Sequence, residues 1–311
     1  MEMLKEIESK KELLDKILKN KQALRVFRTW LLTELAYTSN NIEGNSLTRK
    51  ETVFAITKGL TASSVKPIKD YQEIINHAKA SKLILKLSQN NKVITENDIL
   101  NIHKEVLNGL EDDDCIGKYR NVKIRISGSK VIVPHPSKIK SLVEELIDFI
   151  NSKQLSVIET ALIAHFKFIA INPFIDGNGR TARLLLNLIL LKNNYYPVIV
   201  RARDRKIYIK SIEKGELKND LSLYRNFMYK AIDKSYQTYI DMFDNKPESD
   251  KELLTISKFA KAAEVPVSTV RYYLRVGKLK PVSITESDYM LFSKEQIKVF
   301  NKKKINLKRL L

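Results

Sequence analysis

Residues that end regular structure are scarce in this chain, which has only 9 glycines and 8 prolines among 311 residues. Folds rich in strands need frequent turns, and turns depend on these two residue types. We therefore expect a mostly α-helical protein, and apolar residues at helical spacing along residues 3–37 agree with one or two helices there. Thr48 is an expected N-cap, because Glu51 follows at the capping-box position. Further helices are predicted over 49–58, 68–88, 96–109, 138–152, 156–171, 178–192, 204–213 and 219–241.

One segment breaks the helical pattern. In KYRNVKIRISGSKVIVPHP, residues 118–136, apolar and polar residues alternate up to Ile126, and a second apolar run begins at Val131. Residues 127–129 between them have turn chemistry, so the segment reads as a β-hairpin. Because it stands alone among helices, we expect an exposed flap and not part of a large sheet.

The C-terminal fifth reads as a separate domain. Residues 244–252 are polar and contain a proline, which is typical of a linker. Beyond them, residues 257–297 show the pattern helix, short turn, helix, with Ser268 as the expected N-cap of the second helix. The expected organisation is an N-terminal helical region, a core domain, the linker and a small C-terminal domain, with bounds 1–110, 111–243, 244–252 and 253–311.

Composition narrows the partners and the compartment. The formal net charge of +19 indicates a polyanionic partner such as nucleic acid, a nucleotide or an acidic protein, although biased genome composition produces similar charge. The single cysteine, Cys115, excludes an internal disulfide and suits a reducing cytosol. The N-terminal residues are charged throughout, and no uncharged run approaches about 20 residues, so we expect a cytoplasmic protein without a membrane span.

The segment FIAINPFIDGNGRTARLL, near the middle of the chain, carries the chemistry. Gly177 and Gly179 allow close approach and positive φ where a helix begins, and the first amides of a helix bind anions. Arg180 and Arg183 lie three apart on that helix and can both hold phosphate oxygens. Asp176 offers a hard oxygen to Mg²⁺. These residues predict a nucleotide di- or triphosphate site with one metal; the alternative is a glycine helix end followed by solvated arginines.

Residues 172–183, NPFIDGNGRTAR, resemble the signature of the Fic family, His-Pro-Phe-x-Asp/Glu-Gly-Asn-Gly-Arg-x-x-Arg. Every defined position matches except the first, where the family has His and this chain has Asn172. The resemblance extends over roughly 40–235. It includes the flap 118–136, which is similar to the family's target-binding flap; an edge strand there can accept a target segment as a further strand. The usual lead-in also fits, at His165, Phe168 and Ile171.

The resemblance implies transfer of AMP from ATP to a Ser, Thr or Tyr hydroxyl of a target protein, or of the protein itself. The family's base corresponds to Asn172 and its Mg²⁺ ligand to Asp176. Arg180 corresponds to a phosphate-contacting arginine, and Arg183 to the arginine that steadies the γ-phosphate. The other implied roles are shaping of the loop by Phe174, the phosphate anion hole at Gly177, Asn178 and Gly179, and a wall of the adenosine pocket at Tyr208.

Residues 39–44, SNNIEG, fit the family's inhibitory motif, Ser/Thr-x-x-x-Glu-Gly/Asn, which ends here at Gly44. The resemblance implies that Glu43 pairs with Arg183, so that ATP binds only in a non-productive pose. It also implies that Ser39 ties the inhibitory helix to the motif loop. In some relatives the same Glu supports the removal of AMP. Without the motif, Glu43 would read as an ordinary carboxylate at a helix end before a glycine turn.

Asn172 is the one departure from the signature. A carboxamide cannot accept a proton, whereas imidazole titrates near neutral pH. General-base catalysis is worth about 10²–10⁴ in rate, so we expect slow transfer or none. His165, roughly 10 Å back along its helix, is not a replacement, because relatives carry a histidine there as well. The chain is then an engineered inactive transferase, a natural variant with lost or altered chemistry, or a nucleotide sensor.

Residues 257–297 resemble a winged-helix or MerR-type helix-turn-helix module. Such modules place a helix in the major groove of DNA, where side chains reach phosphates and base edges. Residues 289–292 are the expected wing strand, and the basic tail 302–311 adds positive charge. Small winged helices also bind proteins or dimerise, so DNA binding is one of two readings. The side chains expected to face DNA are Ser268, Thr269, Arg271, Tyr272, Tyr273 and Arg275.

Two hypotheses of function emerge. The main one is an autoinhibited Fic-type protein adenylyltransferase that uses ATP and Mg²⁺ and is impaired at Asn172. The alternative is a catalytically inactive, ATP-sensing regulator that binds DNA through residues 257–297. A homodimer is compatible with both.

Overall fold

The computed structural model describes residues 2–59, 66–90, 92–112, 114–243, 253–284, 290–294, 296, 297 and 300. The chain divides into two compact units, Met1–Phe243 and Asp244–Leu311. The fold is mostly α-helical, as predicted. In the described part of the chain, no helix is both long and apolar enough to cross a bilayer.

The first unit contains ten α-helices and two short 3-10 helices, Pro136–Lys138 and Ala202–Asp204, within its described residues, and the predicted helices are all present to within a few residues. The region 3–37 forms two helices, because the Asn20 side chain accepts hydrogen bonds from the amides of Gln22 and Ala23 and starts a new helix there. The ten are α1 (Glu2–Ile17), α2 (Lys21–Ile42), α3 (Arg49–Lys58), α4 (Ile68–Ser88), α5 (Glu96–Leu107), α6 (Ile139–Asn151), α7 (Val157–Ile171), α8 (Asn178–Lys192), α9 (Arg205–Lys218) and α10 (Ser222–Asp241).

The predicted capping box at the start of α3 is confirmed. The Thr48 hydroxyl accepts from the Glu51 amide at 3.3 Å, and the Glu51 carboxylate accepts from the Thr48 amide at 2.7 Å. Two of the amides that lack a partner within the helix are thereby satisfied. The box starts α3 a few residues after α2 ends.

Helix α8 lies at the centre of the first unit. Every residue from Arg180 to Leu190 is buried. A helix buried on all sides must be surrounded, and α8 packs against α2, α4, α5 and α7. The start of α8 therefore lies where several helices can deliver side chains to one place.

The flap 118–136 differs from the predicted hairpin in its hydrogen bonding. The chain reverses at Ser127 and Gly128, where the Ser129 amide donates to the Ile126 carbonyl at 3.2 Å. Between residues 118 and 136, all of them described, the two arms form no strand. Proline has no N–H for a ladder, and Pro134 ends one arm.

The second unit is built around a three-stranded antiparallel sheet with strand order β1-β3-β2. Its elements are β1 (Leu254–Thr255), α11 (Ile256–Ala262), α12 (Val267–Arg275), β2 (Ser283–Ile284) and β3 (Met290–Phe292). Helices α11 and α12 form the predicted helix-turn-helix, and β3 is the predicted wing strand. Phe259, Phe292 and Phe300 meet in its small core.

Two details of the second unit correct the sequence prediction. The N-cap of α12 is Pro266 and not Ser268, because the helix already begins at Val267 and no side chain caps it. Tyr273 does not face outward: it is 8% exposed and packs on Phe300. The predicted linker 244–252, Tyr289 of the predicted wing and the basic tail 302–311 lie outside the described residues.

Candidate active site

The loop between α7 and α8, residues 172–177, joins two helices through two left-handed residues. Asn172 ends α7 with φ 48° and ψ 61°, and its amide donates to the Phe168 carbonyl at 3.0 Å. Gly177 starts α8 with φ 74°. A Cβ at Gly177 would lie 3.3 Å from the Leu107 side chain, so both the conformation and the space favour glycine. We call residues 172–179 the glycine loop.

Asn178 closes this loop onto Phe174. Its side-chain oxygen accepts from the Phe174 amide at 2.9 Å, and its side-chain nitrogen donates to the Phe174 carbonyl at 2.8 Å. The Phe174 ring is fully buried. The Asn178 side chain therefore holds the loop closed. Its backbone amide, at the start of α8, is the group left to bind a ligand.

His103 on α5 packs against the glycine loop and bonds to it. The sequence analysis did not predict this role. The His103 ring stacks on Phe174 with centroids 3.6 Å apart. Nδ1 accepts from the Gly117 amide at 2.9 Å, so the ring proton lies on Nε2, which donates to the Asp176 carbonyl at 3.0 Å. Burial lowers the pKa of His103 to about 4, and the ring stays neutral. Its only sequence signal is its place on the apolar face of α5.

The start of α8 presents free backbone donors to a cleft of about 440 Å³. The first amide that bonds within this end of the helix is that of Thr181, which donates to the Gly177 carbonyl at 2.9 Å. The amides before it have no partner in the helix, and the helix dipole places partial positive charge there. The glycine loop, the turn of the flap and α9 line this cleft.

Arg180 is bound within the protein at this end of α8. It is 4% exposed, and its guanidinium donates to Glu73 of α4 at 3.2 Å and to the Asp176 carboxylate at 3.1 Å. Glu73 also accepts from the Asn45 side chain at 2.8 Å. The sequence analysis did not find Glu73, because it lies about a hundred residues from its partner. Arg180 therefore orients Asp176.

Arg183 is bound by the segment 39–44. Its Nε donates to the Ser39 hydroxyl at 2.9 Å, and its Nη2 donates to the Ser39 carbonyl at 2.9 Å and to the Glu43 carboxylate at 2.7 Å. The pairing expected between Glu43 and Arg183 is present. Burial works against the charged form, but Glu43 and Tyr208 outweigh it and raise the pKa of Arg183.

Glu43 reaches this position because α2 ends there. Glu43 is the C-cap residue of α2, directly after Ile42. Gly44 follows with φ 101°, a value that suits glycine. Its carboxylate lies against α8: a Cβ on Gly179 would be 2.7 Å from Glu43 Oε1. Gly179 thus leaves room for the carboxylate beside the free amides.

Arg120 joins the flap to the glycine loop, and the sequence analysis missed it too. Its guanidinium donates to the carbonyls of Asn172 at 2.8 Å, Val122 at 3.0 Å and Pro134 at 2.7 Å. Its own amide donates to the Pro173 carbonyl at 2.9 Å. One buried side chain therefore holds both arms of the flap and the end of α7.

Comparison with known proteins agrees with this geometry. Residues 93–190 match the Fic/DOC family, and residues 255–292 match the MerR family regulatory protein. Protein adenylyltransferase Fic of Nematostella vectensis is 33% identical over 208 residues, which cover 66% of this chain and 48% of that protein. Fic-1 of C. elegans, residues 134–508, superposes with a TM-score of 0.68 at 31% identity, covering 77% of this chain and 72% of that one. The chain belongs to the Fic/DOC family.

The match to curated relatives is partial. Protein adenylyltransferase fic-1 of Caenorhabditis elegans is 32% identical over 204 residues, which are 64% of this chain but 39% of that protein. The chain spans about half the length, or less, of these relatives.

His165 of the Fic domain lies in a closed chain of hydrogen bonds. Tyr224 donates its hydroxyl proton to the Leu162 carbonyl at 2.9 Å, so it accepts from His165 Nδ1 at 2.7 Å. Tyr208 then donates to His165 Nε2 at 2.8 Å. Burial lowers the pKa of His165 to about 3, so the imidazole is neutral and enclosed. It offers no base to the cleft, in agreement with the sequence analysis.

Tyr208 lines the cleft with little of its surface. It is 2% exposed, and its hydroxyl is engaged with His165. Its part as a wall of the nucleoside site stays a prediction.

Asn172 lies on the wall of the same cleft. Its side-chain oxygen is buried and has no hydrogen-bond partner among the described residues. The main chain at this position has the left-handed conformation, and Arg120 holds its carbonyl. The main chain at position 172 is therefore fixed, and the Asn172 side chain lies at the cleft with its oxygen unpaired among the described residues.

Asp176 is the best-placed residue for a metal. Its side chain is half-exposed and lines the cleft beside the free amides of α8. The described residues contain no group of three metal-binding side chains. Mg²⁺ commonly takes one or two carboxylates and completes its shell with phosphate and water oxygens, so a single aspartate here fits that ion.

Proposed function

We propose that this Fic domain binds ATP with Mg²⁺ in the cleft and transfers AMP to a Ser, Thr or Tyr hydroxyl of a protein. The relatives named protein adenylyltransferase support this assignment. The observation that carries it is the open end of α8, where free amides, Asp176 and Arg183 converge on one cleft. The single cysteine, which suits a reducing cytosol, favours a cytoplasmic setting.

The binding of the triphosphate divides among a few groups. The amides at the start of α8 donate hydrogen bonds to the phosphate oxygens, because these amides have no partner in the helix and face the cleft. Asp176 would hold Mg²⁺. The bound ion would neutralise negative charge on the departing pyrophosphate. Arg183 holds the γ-phosphate once Glu43 releases it. Arg180 acts mainly through Asp176, because its guanidinium is bonded to Glu73 and Asp176.

The transfer step needs a proton acceptor. The hydroxyl oxygen of the target bonds to the α-phosphorus, the bond to the β-phosphate oxygen breaks, pyrophosphate leaves, and the hydroxyl proton must go to a base. Asn172 lies where the family has that base, and a carboxamide cannot take the proton. This chain therefore transfers AMP about 10²–10⁴ times more slowly than a version with His at 172.

Autoinhibition follows from the occupied guanidinium. In the described state, Glu43 and Ser39 take the donors of Arg183 that a γ-phosphate would need. The Glu43 carboxylate also adds negative charge beside the free amides of α8. ATP then binds in a pose that does not align its α-phosphate. Displacement of Glu43 restores the productive pose.

The flap is the proposed site for the target protein, or for a segment of a second copy in self-modification. Its arms form no strand, and Ile132 is 93% exposed. Arm backbone groups that lack strand partners can pair with an added segment. Such pairing aligns a hydroxyl with little dependence on the side chains of the target.

The test restores the base and removes the inhibitor together. The variant Asn172→His with Glu43→Gly is incubated with ATP radiolabelled at the α-phosphate, magnesium and cell lysate, and label on protein is measured. We expect strong labelling of the lysate or of the variant itself. Asn172→Gln with Glu43→Gly is the matched control, because it changes the same position without adding a base. If the histidine variant labels no protein above that control, the proposed activity is wrong.

A second candidate function, DNA binding, is favoured by the match to the MerR family regulatory protein. On α12 the side chains of Ser268, Arg271, Tyr272 and Arg275 are exposed, while Val270 is buried, so one face is free for a duplex. The regulator would bind DNA through α12 and respond to ATP through the Fic domain.

The DNA hypothesis is tested with the full chain and duplexes of different sequence. Arg271→Ala with Arg275→Ala should weaken binding and reduce its dependence on salt concentration. Lys258→Ala with Lys261→Ala, at exposed positions on α11, controls for the loss of two positive charges. Equal affinity for all duplexes, unchanged by the double substitution, would exclude a sequence-reading role.

A further inference from the structure

The cleft has a second end, away from the phosphates. Arg183, Asp176 and the amides of α8 gather around the glycine loop, so the nucleoside of a bound nucleotide extends toward α9 and the turn of the flap. The proposed function assigns the phosphate end but leaves the base unspecified. At this nucleoside end the cleft is lined by Arg125, Ser129, Ile209, Ile212, Glu213 and Glu216.

Glu213 and Glu216 stand three apart on α9 and therefore share one face of the helix. The orientation of that face is fixed by Gly215 on the other side. A Cβ on Gly215 would lie 2.7 Å from the Phe166 ring, so glycine lets α9 pack closely on α7. The two carboxyl groups are consequently held toward the cleft.

The two carboxyl groups have different partners. Glu213 accepts from the Ser129 hydroxyl at 2.7 Å and from the Lys130 amide at 3.4 Å. Glu216 has no hydrogen bond from any described residue. Burial, and next the charge of Glu213, raise the pKa of Glu216 to about 7.

The other charged groups that line the cleft lie on several elements around these carboxyls. They are Arg125 of the flap, Asp176, Arg180 and Arg183 of the glycine loop and α8, Glu43 of α2 and Arg205 of α9. Among all of these groups, Glu213 is the one whose charge acts on Glu216. The protonation state of Glu216 therefore depends on its burial, on the charge of Glu213 and on pH.

We propose that Glu216 selects the nucleobase of the bound nucleotide, and that adenine is preferred while its carboxyl group is protonated. A protonated carboxyl presents one donor beside one acceptor, which matches the N1 acceptor and the 6-amino donor of adenine. An ionised carboxylate presents acceptors only, which matches the N1–H and 2-amino donors of guanine. The inference rests on the proposed nucleotide site and adds its specificity.

The experiment compares two nucleotides at two pH values. The full chain carrying Glu43→Gly is titrated calorimetrically with ATP and with GTP, with magnesium, at pH 6 and pH 8.5. We expect the ratio of ATP affinity to GTP affinity to fall by roughly tenfold between these values, because only a small fraction of Glu216 is still protonated at pH 8.5. The ratio cancels effects of pH on the phosphates and the metal.

Two further variants identify the group. Glu216→Gln keeps one donor and one acceptor but cannot ionise, so its ratio should stay at the pH 6 value at both pH values. Glu213→Gln removes the charge that holds the proton on Glu216, so the fall in the ratio should move to lower pH. Both variants are made in the Glu43→Gly background.

The outcomes separate the two proposals. A ratio that does not change with pH, or that still falls in Glu216→Gln, overturns the role of Glu216 while leaving nucleotide binding intact. Absence of heat from both nucleotides at both pH values overturns the proposed nucleotide site, and the selection by Glu216 falls with it.

Discussion

The glycine loop and the flap line the same cleft, but the protein holds them in different ways. The loop is bonded at both ends: Asn178 closes it on Phe174, His103 holds the Asp176 carbonyl, and Arg120 holds Asn172. The flap is tied at its base by Arg120 and at its turn by Glu213, and its arms make no strand. A phosphate site needs donors placed in advance, whereas a site for a protein segment needs free backbone groups.

Removing the buried aromatic ring of the glycine loop should produce the largest loss of stability. Phe174→Ala leaves a cavity between His103, Tyr119 and Phe168, where the buried ring now packs. We expect the free energy of unfolding to fall by about 3–5 kcal/mol, the usual cost for a fully buried Phe. Urea denaturation measures it. A loss below about 1 kcal/mol would mean that the loop is not packed as described.

Arg120 tests the connection between the two regions. Arg120→Lys keeps a positive charge but cannot reach three carbonyls with a planar group, and it leaves buried carbonyls unsatisfied. We expect a loss of about 2–3 kcal/mol in the free energy of unfolding. Arg125→Lys, at an exposed position of the flap, is the control and should stay within about 0.5 kcal/mol. Equal effects of the two changes would contradict the bridging role.

His103 makes the support of the loop depend on pH. Burial lowers its pKa to about 4 from an ordinary value of 6.5, so the unfolded chain binds the proton first as pH falls. The stabilisation is complete above about pH 6.5 and declines toward pH 4, by about 2 kcal/mol at pH 5. His103→Gln cannot titrate, so its stability should decline less than that of the parent chain between pH 7 and pH 5. Identical declines would exclude His103 as a contributor.

The flap should show the smallest effect on stability. Ile132 is 93% exposed, so both Ile132→Ala and Ile132→Pro should change the free energy of unfolding by no more than about 0.5 kcal/mol. Each change is also made in the Asn172→His, Glu43→Gly protein, where the labelling of protein by ATP should distinguish the two. Proline removes a backbone N–H that an added strand would use, so labelling should fall with proline and persist with alanine. Equal labelling would argue against backbone pairing at this arm.

Much of the site could be predicted because it is local in the chain. Gly177, Asn178 and the arginines lie within a few residues of one another, and a helix start imposes their geometry. Residues 39–44 were found through their motif, and the structure pairs Glu43 with Arg183. The inhibitory consequence of that contact stays a prediction.

The missed residues share a different property. His103, Glu73 and Arg120 act on the loop from α5, from α4 and from the base of the flap, between 52 and 107 residues away along the chain. Their own sequence surroundings carry no pattern that marks them. The β-ladder of the flap was expected from alternation alone, but alternation describes which face a side chain takes and does not create hydrogen-bond partners.

The sequence by itself determined the helical composition, the helix ends and the kind of chemistry at residues 172–183, because periodicity, capping and anion binding at a helix start act over a few residues. Tertiary structure decided which groups bind those residues: it brought Glu43 to Arg183, Glu73 to Arg180 and His103 to Asp176. It also set the raised pKa of Glu216 through burial and a neighbouring charge. Such contacts depend on how helices pack in three dimensions, and that packing is a property of the whole chain.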